Sequence, residues 1–477
     1  MALEPAGVSS ADSPAVAEKA PATPGGDRGV FVRRVAGVMT TRMALFVMAF
    51  ATSILISRLL GTDGRGVYVA VVAVPGMLSA LGMFGLPSAV NYFAGRGMSL
   101  RSLIRASYLF TVVLSVILVG IVWFGLPALE SSFLKAAKDY DGLLRLILLT
   151  IPLGMLATFG GTILYGRQAV RVYNLVQIAM AAVSLLCVLV LVGALHRGVG
   201  GAVAGSVIVS TLTAVAVMIA VHRLARSHSS GPPARLHALI SYGARLYPAS
   251  ITGYFNYRAD TLIIQALLLN PKGPLGLYSF AVTMAEVVFY VPDSISTLFL
   301  PRVAGSTPED ANRIVGRVGR MTTLLTIGVA LALIPAAFAG IYLVLPDFAD
   351  CLPAFLVLLP GVVSLSVAKV MTSYIGGRGR PGLVSVQTIA ALFLNVALNI
   401  FLIPRLGIVG ASLASLISYS AQAAIVLFFA SRLSGQSPLS LFVPGRAEVQ
   451  LLVDGLRRLW ARAKASDRMK LGSRGGR

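Results

Sequence analysis

From residue 37 to residue 430 the chain alternates long apolar runs with short polar breaks. The runs fall at 37–60, 66–94, 103–127, 142–165, 172–194, 199–221, 241–269, 276–301, 320–345, 352–375, 382–403 and 407–430. Each approaches or exceeds the length of about 20 residues that a helix needs to cross a bilayer's hydrocarbon core. The pattern therefore predicts an all-α polytopic membrane protein with twelve transmembrane helices. The run 241–269 is the most polar of them. Residues 1–34 contain no apolar core of the kind a signal peptide needs; the stretch PAVAEKAPATPGGDRG predicts a disordered tail. Beyond residue 432 the chain turns polar and basic. Within that end, 446–464 places Val449, Leu452, Leu456, Leu459, Trp460 and Ala463 along one helical face, with Arg457, Arg458 and Arg462 beside or opposite it. That is the pattern of an interfacial amphipathic helix on an anionic inner leaflet, with Gly455 weakening it.

Composition agrees with the pattern. The 477 residues are 56% hydrophobic and 12% charged, against about 25% charged in soluble domains. A soluble enzyme is excluded, because so apolar a surface would aggregate in water. The net charge of +22 would suggest nucleic acid in a soluble protein. Here its distribution gives another reading. With twelve spans, both tails and the even-numbered loops share one side and carry 28 Lys and Arg, against six (Arg65, Lys135, Lys138, Arg197, Lys272 and Arg405) in the opposite loops. The positive-inside rule then places both termini in the cytoplasm of a multi-pass cytoplasmic-membrane protein, and no nucleic-acid partner is expected. Cys187 and Cys351 lack metal-ligand spacing, and the four histidines lie in or beside loops. We find no nucleophile–base pair, phosphate loop or metal cluster, and the longest outer loop, 128–141, is too short for a catalytic domain. The sequence thus predicts neither enzyme nor cofactor.

The two halves repeat at an offset near 210 residues. Gly66-Val67-Tyr68 matches Gly276-Leu277-Tyr278, Ala94-Gly95 matches Ala304-Gly305, and Gly166-Arg167 matches Gly377-Arg378. Val176-Gln177 matches Val386-Gln387, and the glycine-rich run at 198–202 matches 407–411. Six spans per unit give both units the same orientation, so the repeat predicts two six-helix lobes related by a pseudo-twofold axis along the membrane normal. A cleft between them would open alternately to either side. The expected organisation is a tail at 1–34, an N-terminal lobe at 35–222, a cytoplasmic linker at 223–238, a C-terminal lobe at 239–432 and a basic tail at 433–477. The small-residue spacings Gly201/Gly205 and Gly410/Ala414 predict close helix packing.

Charges inside spans are costly and persist when they pair or line a cavity. At a rise of about 1.5 Å per residue, Arg258, Asp260 and Glu286 lie near the midplane, and Asp293 and Lys369 nearer the cytoplasm. Glu286, Tyr290 and Asp293 share a helix face. Arg245, Thr252 and Asn256 share another if Pro248 and Gly253 leave the helix intact; Arg258 points away from it. Arg42 and Arg245 lie about one turn inside, where facing the cleft or snorkelling to the interface both fit. For Arg258, Asp260 and Glu286 a structural ion pair is the competing reading.

The stretches SRLLGTDGRGVYVAVVAVPGMLSALGMFGLPSAVNYFAG (57–95), FNYRADTLIIQALLL followed by GLYSFA (255–281) and PRLGIVGASLASLISYSAQAAIVL (404–427) resemble the polysaccharide-biosynthesis flippases of the multidrug/oligosaccharidyl-lipid/polysaccharide exporter superfamily. The resemblance implies a V-shaped, two-lobed transporter that flips polyprenyl-diphosphate-linked oligosaccharide across the cytoplasmic membrane. It supplies no catalytic residue. On that reading Arg258, Lys369, Arg42, Arg245 and Asn256 bind the diphosphate and first sugars, since guanidinium–phosphate bonds are charge-assisted. Asp260, Glu286 and Asp293 couple transport to an ion gradient. Expected partners are the lipid-linked glycan, anionic lipids at the C-terminal tail, and a glycan polymerase or glycosyltransferases. The alternatives are a cation-coupled multidrug antiporter, which favours an acidic cavity, and a peptidoglycan-precursor flippase, many of which carry two further spans.

Overall fold

The computed structural model describes residues 28–132, 134–227 and 231–450, with residue 454; side chains are described from residue 43 onward, except 126–132, 227, 246, 249, 298, 301 and 381. The expected N-terminal tail up to residue 27, part of the linker and most of the 446–464 helix lie outside the described residues, as does the side chain of Arg42. Two compact units are distinguished. In Met1–Ala44 the described part is the start of one helix; Leu45–Arg477 holds everything discussed below.

All regular structure among the described residues is helical. In chain order the helices are α1 (Arg28–Gly82), α2 (Leu86–Gly95), α3 (Leu100–Ser132), α4 (Asp141–Ile147), α5 (Thr150–Gly166), α6 (Val170–Cys187) and α7 (Gly198–Ser227). They continue with α8 (Leu236–Leu267), α9 (Lys272–Ala285), α10 (Tyr290–Ala304), α11 (Pro308–Val344), α12 (Leu352–Gly377), α13 (Pro381–Ser434) and α14 (Pro438–Phe442). A π-helical segment, Val188–Ala194, continues α6, and a 3₁₀ turn, Glu286–Phe289, joins α9 to α10.

The protein is a multi-pass membrane protein. Among the described residues nine helical runs are long and apolar enough to cross a membrane, from Met43–Gly82 to Gly382–Ser434. Two of these runs are broken by a glycine in the left-handed region, Gly61 (φ 67°) in α1 and Gly407 (φ 57°) in α13, a conformation that side chains with a Cβ disfavour. Both breaks fall where the apolar pattern changes run. The polar helix α8 lies outside the nine, as its composition foretells, yet it is continuous through Pro248 and Gly253. Proline has no N–H, which leaves the Ala244 carbonyl without its helical donor; the Pro248 carbonyl itself accepts from Thr252 Oγ1 at 2.6 Å.

One boundary needs correction. The sequence pattern places Arg65 in a loop between the first two runs, but α1 resumes immediately after Gly61 and Arg65 lies inside its second rod, 4% exposed. A single glycine makes the turn, and the polar residues after it are already helical.

Apolar burial concentrates in two clusters. One draws mainly on Val67 to Ile264, the other on Phe280 to Leu441. Helix α8 bridges them, packing on α13 and α2. Where α1 meets α9 the contact is reciprocal: a Cβ on Gly66 would strike the Lys272 carbonyl, and one on Gly276 would strike the Thr62 carbonyl. Thr62 and Lys272, like Gly66 and Gly276, are separated by the repeat offset, so residue i of one unit meets residue j of the other and the converse also holds. That is the signature of a local twofold relation. It explains why glycine recurs at this point of the repeat, since only glycine lets the two backbones come so close. At the other end of α1 the Met83–Gly85 elbow docks on α8, with Phe84 stacked on Tyr247 at 4.7 Å and Tyr247 Oη donating to the Leu81 carbonyl at 2.9 Å. The small residues of the repeat also pack tightly: a Cβ on Gly201 would approach the Leu191 carbonyl to 2.8 Å, and Ala414 is fully buried.

Candidate functional site

The membrane-embedded charges resolve into three environments around α8. The first is a buried polar network. Asp260, 4% exposed, accepts through one carboxylate oxygen from Tyr278 Oη of α9 and from Ser415 Oγ of α13, the latter at 3.1 Å. Behind it Asn395 Nδ2 donates to Ser418 Oγ at 3.1 Å, and Asn399 Nδ2 donates to Asn395 Oδ1 at 2.9 Å. One turn before Asp260, Asn256 Nδ2 donates to Gln422 Oε1 at 3.0 Å. The network joins α8 and α9 to both rods of α13. It is short of donors: the second oxygen of Asp260 and the side-chain oxygen of Asn399 make no hydrogen bond among the described residues. A buried oxygen left in this state is costly away from water. An oxygen-rich pocket of this kind suits a hard cation or a proton.

The second environment is a cavity of about 290 Å³ bounded by α8, α10, α12 and α13. In it Lys369 Nζ pairs with Asp293 Oδ1 at 2.7 Å and lies 4.2 Å from the centre of the Phe289 ring. The two residues were expected to act separately, Lys369 on the substrate and Asp293 on the ion; the fold brings them together as an ion pair. The third environment is a cavity of about 370 Å³ between the second rod of α1 and α8. Its wall includes the apolar Val69, Val72, Met77 and Leu262 and the hydroxyl-bearing Tyr68, Tyr254 and Thr261, and its one charged group is Arg258, which is exposed.

The remaining sequence candidates distribute as follows. Glu286 is half-buried. It does not stay in simple helical register with Tyr290 and Asp293, because the intervening 3₁₀ turn has 3 residues per turn instead of 3.6. Arg245 is exposed on α8 while Asn256 is 1% exposed, so their shared face passes from open to closed along its length.

Several polar residues of the site were not singled out from sequence. Asn395 and Asn399 are four apart, and Ser412, Ser415 and Ser418 are three apart, on spans read as ordinary packing helices. A polar stripe at helical spacing inside an apolar run is a readable signal, and it marks the faces turned toward Asp260. Arg65 is the other omission. Its Nε donates to Ser279 Oγ at 2.9 Å, one terminal nitrogen donates to Ser57 Oγ at 2.5 Å and to Ser53 at 3.0 Å, and the other donates to Thr283 Oγ1 at 3.3 Å. Phe280 lies beneath it at 5.0 Å. Each of these hydroxyls that bonds its own helix gives its proton to a carbonyl, as Thr283 does to Ser279 and Ser57 to Ser53. Their lone pairs are thereby left for the guanidinium.

The fold is that of a membrane transporter. It is similar to the lipid II flippase MurJ in an inward closed conformation, at 13% identity with a TM-score of 0.67, over 82% of this chain and 86% of that one. It is also similar to a multidrug resistance MATE family transporter of the MOP superfamily in an inward-facing conformation, at 15% identity and a TM-score of 0.59, over 82% and 94%. The eukaryotic MATE transporter AtDTX14 matches at 14% identity and a TM-score of 0.58, over 86% and 97%. The family model of the polysaccharide biosynthesis proteins matches residues 31–304, more than half of the chain, and the chain belongs to that family. A search of curated protein sequences returns no significant match.

Proposed function

We propose that the protein is a flippase that carries polyprenyl-diphosphate-linked oligosaccharide across the cytoplasmic membrane by alternating access. Twelve spans follow if α1 and α13 each count twice, at Gly61 and Gly407, and α8 is added to the nine apolar runs. The two lobes are then 35–222 and 239–432, with both termini and the linker in the cytoplasm. The observation that carries the reading is Arg258, an exposed guanidinium and the one charged group of a mainly apolar cavity on α8. A ligand that satisfies it must combine an anionic group with hydrocarbon, as a lipid diphosphate does. Arg245, on the same helix, extends the positive charge toward the cytoplasmic side. Asp260 is the ion-coupling residue, with Glu286 transmitting its charge state to Arg258, Lys369 and Asp293. The C-terminal tail rests on anionic lipid, and the enzymes that build and polymerise the glycan are the natural partners.

A multidrug antiporter for cations would place exposed acid in the α1–α8 cavity, where this chain places arginine. The peptidoglycan-precursor reading draws on the likeness to the MurJ fold and shares the same diphosphate-lipid chemistry. Deletion of the gene followed by analysis of accumulated lipids separates the three. Accumulation of a cytoplasm-facing lipid-linked polysaccharide unit supports the proposal, and accumulation of peptidoglycan precursor supports the second reading. Unchanged lipids with new sensitivity to cationic drugs would favour the antiporter.

A further inference from the structure

In the N-terminal half the acidic and basic residues lie at opposite ends of the helices. From residue 64 to residue 259 the acids are Glu130, Asp139 and Asp141, all at the end of α3, in the loop after it or at the start of α4. Arginines gather at the other end: Arg167 and Arg171 flank the α5–α6 turn, and Arg223 and Arg226 stand in the last turns of α7. Helix α7 packs mainly on α4, α5 and α6, and the acid these carry is Asp141, at the far end. The positive charge on this end of the bundle is therefore not neutralised from within it. By the positive-inside rule the same end faces the cytoplasmic leaflet, which holds the anionic lipids.

A cavity of about 480 Å³ lies at this end, between α5, α6 and α7. Val172 and Val176 line it from α6, and Ala216 and Ala220 from α7, with the buried Leu164 of α5 behind them. Residues four apart share a helix face. Two alanines on one face are too short to fill the gap between the helices, and a recess remains. Val172 and Arg223 are exposed, so the recess is reached from outside the bundle, where the lipid lies. Arg223 is the one charged group in its lining; the rest is apolar. No lining residue is shared with the cavity of Arg258. An occupant that suits both parts has hydrocarbon for the recess and an anion for the arginine, whose planar fork matches phosphate. A soluble anion would leave the apolar walls uncovered, and a neutral lipid would leave the arginine without a counter-charge.

We propose that this recess is a site for a resident anionic phospholipid, with one acyl chain between α6 and α7 and the phosphate on Arg223. It is separate from the path of the transported lipid and holds the N-terminal lobe to the cytoplasmic leaflet. The test uses the full chain in nanodiscs containing a trace of phosphatidylglycerol with a photoactivatable group in its acyl chain. After irradiation, peptide mass spectrometry should find label on 172–176 and 216–220. The matched phosphatidylcholine probe should label these segments about tenfold less, the scale of one charge-assisted hydrogen bond. Arg223→Gln should lower phosphatidylglycerol labelling by a similar factor. Arg226→Gln, at an exposed arginine outside the recess, should lower it by less than about twofold, since an exposed charge acts weakly through solvent. Ala216→Phe, which fills the recess, should lower labelling with Arg223 intact. Equal labelling by the two probes would overturn the proposal, as would labelling that Arg223→Gln leaves unchanged or that Arg226→Gln reduces as strongly. Loss of label on adding an equimolar isoprenyl diphosphate would assign the recess to the transported lipid and overturn it too.

Discussion

Arg65 and Arg258 lie on helices from opposite halves of the chain, and the fold treats them in opposite ways. Arg65 is enclosed, each of its three nitrogens hydrogen-bonded, to Ser53, Ser57, Ser279 or Thr283, all of them neutral groups. It ties both rods of α1 to α9, beside the reciprocal contact of Gly66 with Gly276. Arg258 is exposed in a mainly apolar cavity, as its one charged group. A charge whose donors are already satisfied serves the architecture; one whose donors remain accessible is available to a ligand. The energetic demand of a charge in a membrane is met from within in the first case and from outside in the second.

The comparison can be broken most sharply at Arg65. Replacing it with Ala leaves four hydroxyls without their donor and opens a void. It should cost about 3 kcal/mol or more, by analogy with removing one partner of a buried charged group, read as a large fall in thermal unfolding temperature in detergent. Arg258→Ala should change stability by no more than about 0.5 kcal/mol, as at other exposed sites, while reducing lipid-linked glycan export at least about tenfold. Export unchanged in that variant would remove Arg258 from substrate recognition. Asp260→Asn keeps the size of the side chain and removes its charge. We expect transport that no longer responds to the ion gradient, measured in proteoliposomes with the gradient imposed or collapsed. Glu286→Gln should give a weaker form of the same defect.

Two smaller effects sharpen the contrast between buried and exposed charge. A double-mutant cycle on Lys369 and Asp293, whose ion pair is only partly buried, should return a coupling of about 1 kcal/mol or less. At the described C-terminal end, Arg320 Nε donates to Glu448 Oε1 at 2.8 Å and Arg320 Nη1 to the Ser440 carbonyl at 2.6 Å, which docks α14 on α11. The hydrogen bond from Arg320 holds the Glu448 carboxyl below its usual range. Its contribution is therefore complete above the unfolded glutamate value of about 4.3, and is lost as the pH falls through the depressed folded value. Limited proteolysis of the C-terminal segment should accelerate only in that acidic window, and at neutral pH in Arg320→Gln.

The apolar runs made the all-helical, multi-pass fold legible because a helix that crosses lipid must be apolar along most of its length, whatever its neighbours are. The same rule made α8 stand out by its polarity. Arg65 was misread because a cluster of polar residues after Gly61 looks like a loop when each residue is weighed alone. Only the hydroxyls of α9, more than two hundred residues away, explain how an arginine can be buried there. The polar stripe Asn395, Asn399, Ser415 and Ser418 was visible at helical spacing, but its target was not, since the rotation of one span against another is not written in hydropathy.

The sequence by itself determined the membrane class, the family, the separation of the apolar runs near residues 61 and 404, and the near-210-residue repeat. These depend on local backbone chemistry and on the solvent each residue must face. Tertiary structure alone decided which charges were spent and which remained accessible. It enclosed Arg65, paired Lys369 with Asp293, surrounded Asp260 with hydroxyls and left Arg258 exposed. Those outcomes depend on partners brought from distant spans, and a charge in a membrane is defined by its partners as much as by itself.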